Sequence, residues 1–149
     1  MSETIIRTMT ITDYDGVYDL WINTPGMGLN TTDDSREGIA RYLRRNPTTS
    51  FVAEAAGRIV GVIMAGHDGR RGFIHHTAVR PECRRQGIGS HLVRHALDAL
   101  EAEGIHKVAL VAFEQNAQGN AFWEGTGFTQ RDDLVYRNRS IHPLERIDT

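Results

Sequence analysis

The chain has 149 residues, 40% hydrophobic and 24% charged, with a formal net charge of −2. That length suits one domain with a real hydrophobic core and leaves no room for two large ones, and the near-balanced charge argues against a generic nucleic-acid binder. The one cysteine, Cys83, excludes an intrachain disulfide and a cysteine-held zinc site, and no run of about 20 apolar residues offers a membrane span.

The opening "MSETIIRTMTI" has no apolar stretch with basic flanks, so a cytoplasmic protein is expected. Thr4–Ile11 reads as a first strand. Thr12 or Asp13 can cap a helix to about Ile22, with Val17, Leu20 and Trp21 on its buried face. "NTPGMGLNTTDDS" is a loop by composition, in which Met27 and Leu29 could line a pocket and Asp33 and Asp34 could attract an amine. Ser35 or Asp34 then caps a short helix to Arg45 that buries Ile39 and Leu43. "SFVAEAAGRIVGVIMAG" predicts two strands around a tight turn near Gly57, and "FIHHTAV" a third. From Gly87 to Glu103, Ile88, Leu92, Val93, Ala96, Leu97 and Leu100 share one helical face, and Gly104 closes the helix. "KVALVAF" reads as a strand buried on both faces. Ala117–Glu124 predicts a short helix, and "FTQRDDLVYRN" a last strand before a tail over 138–149. The expected fold is one α/β domain over 1–149, of order βααβββαβαβ. Its sheet is mixed and mostly antiparallel, flanked by helices, with a parallel crossover across 73–113.

The turn "RRQGIG" joins a strand to a helix N-terminus. Backbone N–H groups there lack intrahelical partners, and the helix dipole adds about half a positive charge. Arg84 and Arg85 add full charge, and Gly87 and Gly89 let a ligand approach the backbone, so the turn is a candidate phosphate cradle. A plain turn with exposed arginines is the other reading. A Walker loop needs Lys-Ser/Thr after the glycine, and a dinucleotide fingerprint needs glycine where Leu92 stands; both fail.

"TAVRPECRRQGIGSHLV" and, further along, "NAQGNAFWEGTGF" together resemble the two hallmark motifs of the GNAT superfamily of acyl-CoA N-acyltransferases. The resemblance runs from about Ile5 to Tyr136 and matches the expected element order. It implies acetyl-CoA as acyl donor, an amine acceptor (a small molecule or a protein), and a homodimer, with no nucleic acid or membrane partner and no metal. It further implies a splay between strands 73–79 and 107–113. Backbone groups of Thr77, Ala78 and Val79 would pair with pantetheine as an added strand. Arg84, Arg85, Gln86, Gly87, Ile88, Gly89 and Ser90 would form the pyrophosphate turn, and Asn116 and Trp123 would lie near the pantetheine arm.

Amide formation needs a neutral amine, a donor for the developing oxyanion and a proton for the leaving thiolate. The resemblance implies a backbone N–H near Val79 as the oxyanion donor. Trp123 stands where the family usually has an acidic Tyr. An indole does not protonate a thiolate, so Tyr136 on the last strand is a substitute acid. Val111 stands where some relatives have a Glu base; His75 and then Glu114 are the candidates here. Strand alternation would put His75 and His76 on opposite faces. The change at Trp123 also motivates a different reading, an acyl-CoA-binding sensor without efficient catalysis. A weaker third, nucleic-acid binding, would rest on Arg80, Arg84 and Arg85.

Overall fold

Apolar residues at period two along Val62–Ala65 feed two cores on opposite faces of one sheet. Val62 and Met64 point to one, Ile63 and Ala65 to the other. The computed structural model describes residues 3–147. Its sheet has the order β1 (Thr4–Thr8), β2 (Phe51–Ala55), β3 (Arg58–His67), β4 (Gly72–Val79) and β5 (Val108–Leu110). The first four strands are antiparallel neighbours and β4 pairs with β5 in parallel. Helices α1 (Tyr14–Ile22) and α2 (Arg36–Arg45) lie between β1 and β2, α3 (Ile88–Ala102) crosses from β4 to β5, and α4 (Ala117–Gly125) follows β5.

Helices and turns form where the chain carries their signals. Ser35 Oγ accepts the Gly38 N–H at 3.0 Å and starts α2. Ala56 and Gly57, both with positive φ, make the two-residue hairpin between β2 and β3. Val17, Leu20 and Trp21 of α1 and Ile39 and Leu43 of α2 fill the first core; Leu92, Val93, Ala96 and Leu100 of α3 fill the second. Each fully buried side chain of this kind contributes about 1.5–3 kcal/mol.

The α1–α2 loop is held against α2 by close backbone contact. A Cβ on Gly38 would overlap the carbonyl oxygens of Thr32 and Asp33. Neither backbone oxygen can swing aside as a side chain could. Gly38→Ala is therefore expected to cost about 1–3 kcal/mol and to displace Asp33 and Asp34. Urea melts measure the first effect; an unchanged midpoint would show that the loop yields freely.

The C-terminal third departs from expectation. β5 stops at Leu110, Ala109 is exposed, and Val111 and Phe113 are about half exposed, so "KVALVAF" is not buried on both faces. As an edge strand it pairs with β4 alone among the described residues, which leaves its other side open. The last expected strand does not form. Residues 129–144 have no backbone–backbone hydrogen bonds among the described residues, and Leu134, Val135 and Tyr136 are exposed. β-rich composition there finds no ladder to join. The chain returns at its end. Thr31 N donates to Glu145 O and Ile147 N to Leu29 O, both at 2.9 Å. The ends of the expected domain and tail, residues 1–2 and 148–149, lie outside the described residues.

Candidate active site

β4 and β5 pair only at Gly72/Val108, Phe73/Ala109 and Ile74/Leu110. Beyond Ile74 the strands part, while Ala78 and Val79 keep their partners on β3. The expected splay is present, and it leaves the Thr77–Val79 backbone with an open edge. Past the end of β5 lies a cleft of about 760 Å³, lined by Pro25 and Gly26 after α1, by Phe113, Glu114 and Asn116 before α4, and by Arg146 from the returning tail.

After the C-terminal end of β4, Pro81–Cys83 makes a short 3₁₀ turn before the candidate cradle. Arg85 (φ 65°) and Gly87 (φ 79°) are left-handed, and Gly87 is the N-cap of α3. The first helical bond runs from His91 N to Gly87 O at 3.0 Å. The N–H groups from Arg85 to Ser90 have no partner among the described residues. This row of free donors at the head of a 15-residue helix fits a pyrophosphate. Two details differ from expectation. Arg84 folds back, its Nε donating to Val79 O at 3.0 Å. Gly89 serves packing: a Cβ there would lie 3.1 Å from the Phe122 ring of α4.

His75 and His76 do not alternate across the sheet. A bulge sets His76 and Thr77 of β4 against the single residue Ile63 of β3, and His76 has a φ of 35°. Both imidazoles then lie on the α1–α2 face, their centroids 6.3 Å apart. His75 packs edge-on to Tyr42 and beside Phe73. Desolvation there, and next the neighbouring His76, push its pKa below the ordinary histidine value; Asp34 and Asp33 pull it partly back. His76 Nε2 lies 2.8 Å from Asp34 Oδ1. Its carbonyl accepts from Trp21 Nε1 at 3.2 Å. Asp34 is 3% exposed, and its Oδ2 accepts the Asn30 N–H at 2.9 Å. This pair was invisible in the sequence, where Asp34 read as a helix cap.

The profile of the Acetyltransferase (GNAT) family matches residues 14–128. The chain belongs to the GNAT acetyltransferase family. It is 36% identical over 111 residues to an acetyltransferase of Photorhabdus laumondii, covering 74% of this chain and 76% of that one. It is 31% identical over 140 residues to one of Pectobacterium atrosepticum, covering 94% and 98%. Among solved structures, the PaiA N-acetyltransferase of Thermoplasma acidophilum, in complex with coenzyme A, superposes with a TM-score of 0.74 at 19% identity, covering 87% and 92%. A Clostridium acetobutylicum acetyltransferase with acetyl-CoA gives 0.68 at 18%, covering 91% and 96%.

As a GNAT acetyltransferase the chain is an acyltransferase, and its remaining candidates sort by position. Glu114 lines the cleft. Asn116 also lines it, but its Oδ1 accepts from Gly119 N at 2.9 Å, so it caps α4 and leaves only Nδ2 for a ligand. Trp123 stacks edge-on with Phe122 and Phe128 and serves packing. Tyr136 is 67% exposed on the stretch that forms no strand, so the structure does not bring it to the cleft. Leu29 is core, and Met27 packs on that core. Arg80 is buried, bonded to Ile59 O at 2.8 Å and to Asp19 at 3.0 Å, and offers nothing to a nucleic acid.

Proposed function

We propose that this chain moves an acetyl group from acetyl-CoA to a primary amine by direct attack within a ternary complex. The observation that carries the proposal is the splay. An open β4 edge runs from the end of the β4–β5 pairing toward a row of free N–H groups, the layout a pantetheine arm and its pyrophosphate require. The CoA bound to the Thermoplasma relative and the acetyl-CoA bound to the Clostridium one support the choice of donor.

In this reading the pyrophosphate sits on the Arg85–Ser90 N–H groups and pantetheine adds to Thr77–Val79 as a strand would. A backbone N–H near Val79 stabilises the oxyanion as the amine attacks. The acceptor enters through the cleft, where the Glu114 carboxylate attracts its ammonium. Loss of the thiolate needs no strong protein acid, because a thiol titrates near 8.5 and its anion is a fair leaving group. That removes the need for a tyrosine where Trp123 stands.

Direct attack predicts intersecting double-reciprocal plots when acetyl-CoA and amine are both varied. Parallel plots would signal an acetyl-enzyme, with Cys83 as the nucleophile to test, and would end the direct-attack proposal.

A further inference from the structure

Three observations converge on His76. Its backbone is left-handed in a bulge, a conformation that costs a non-glycine residue energy and persists where the surroundings enforce it. Its Nε2 is tied to the buried Asp34 carboxylate, whose Oδ2 accepts the Asn30 N–H, while the Tyr14 hydroxyl donates to the Asp34 backbone carbonyl at 2.6 Å. And it stands immediately before Thr77–Val79, at the open edge of the splay.

We infer that His76 accepts the proton of the incoming ammonium, directly or through one water, with Asp34 as its positioning residue. The inference rests on the acetyl-transfer reading above. A carboxylate only accepts, so the neutral ring carries its hydrogen on Nε2 toward Asp34 and its lone pair on Nδ1. Nδ1 has no hydrogen-bond partner among the described residues, and the side chain is 18% exposed. The ring therefore has a fixed tautomer and a free basic atom. His75 lacks the fixed tautomer, since among the described residues no carboxylate bonds its ring, and desolvation lowers its basicity.

The proton count closes. The ammonium gives one proton to Nδ1, and the neutral nitrogen attacks the thioester carbon. The C–N bond forms and the C–S bond breaks. The second nitrogen proton passes to the thiolate, leaving amide and CoA thiol, and His76 returns its proton to solvent. Among the described residues, the charged or titratable groups placed at His76 are Asp34, in direct contact, and His75 beside it on β4, with Tyr14 of α1 bonded to the Asp34 backbone. The base is thus surrounded by more negative than positive charge.

The test compares His76→Gln and Asp34→Asn with wild type on two acceptors of one size, an alkylamine and the matching hydrazide, whose terminal nitrogen is already neutral at pH 7. With the alkylamine, His76→Gln is expected to lower kcat about 10²-fold or more, with the acetyl-CoA Kd unchanged. Its rate should then rise with pH toward the pKa of the amine itself. With the hydrazide the loss should be less than about 10-fold. Asp34→Asn should show the same preference at smaller size. An equal loss on both acceptors, or a wild-type pH profile in His76→Gln, would overturn the assignment. If His76→Gln does not fold, the wild-type profiles decide. An acid limb with the alkylamine that is absent with the hydrazide supports it, and identical limbs overturn it. Wild-type turnover of the alkylamine tests the underlying reading separately.

Discussion

Gly87→Glu is expected to raise the Kd for acetyl-CoA by about 100-fold or more. A carboxylate about 5 Å from a pyrophosphate charge costs about 3 kcal/mol at a surface-like dielectric, which is that factor. The position is open, with only His91 Cε1 within reach of a Cβ, at 3.8 Å. Sterics alone should therefore matter little to the ligand. Gly87→Ala separates charge from backbone strain. The left-handed φ of 79° makes alanine costly by about 1–2 kcal/mol of stability, yet it should change the Kd only a few-fold. Calorimetry on both variants reads the difference. Equal and small effects on binding would mean that the turn is a plain connection.

Asp13→Ala is expected to cause the largest loss of stability. Arg7 grips Asp13 with two bonds, Nη2 to Oδ1 at 2.7 Å and Nη1 to Oδ2 at 2.9 Å, and Thr10 N adds a third at 2.9 Å. The carboxylate is 7% exposed and the arginine 38%. Breaking a fully buried pair costs about 3–5 kcal/mol; the half-exposed Arg7 puts this one near the lower end, about 3 kcal/mol. Burial alone would raise the Asp13 pKa, but the bonds from Arg7 and Thr10 outweigh it and hold the carboxyl below its usual range. A lowered folded-state pKa gives stability that is present above the unfolded pKa of about 3.9 and fades as pH falls through the folded value. Urea melts should therefore show the full gap between wild type and variant at pH 7 and a gap that shrinks once the pH falls below the unfolded value of about 3.9. A gap independent of pH would assign the loss to packing.

Local signals in the sequence suffice where short-range physics decides. Ala56-Gly57 makes its hairpin, Ser35 its cap, and the α3 face from Ile88 to Leu100 its core contact, because each depends on residues a few positions apart. The donor turn was legible for the same reason: free N–H groups and left-handed backbone follow from glycines at a helix head. The catalytic side was not. The bulge at His76 uses a histidine at positive φ, which no turn signature marks, and it inverts the side-chain alternation that period-two reasoning assumes. The Asp34–His76 contact spans 42 positions. "FTQRDDLVYRN" failed in the opposite way. Its β-branched and aromatic residues favour a strand, but a strand exists only with a partner, and propensity cannot say whether one is in reach.

In the proposed reaction the splay carries acetyl-CoA so that an amine can take its acetyl group. The most direct test is release of CoA thiol by the wild-type protein, measured with saturating acetyl-CoA across a panel of primary amines and with no amine. At least one amine is expected to drive release above the amine-free rate and to be recovered as its acetamide. Tight acetyl-CoA binding with no amine-dependent release would contradict the proposed reaction and leave a CoA-binding module in place of an enzyme.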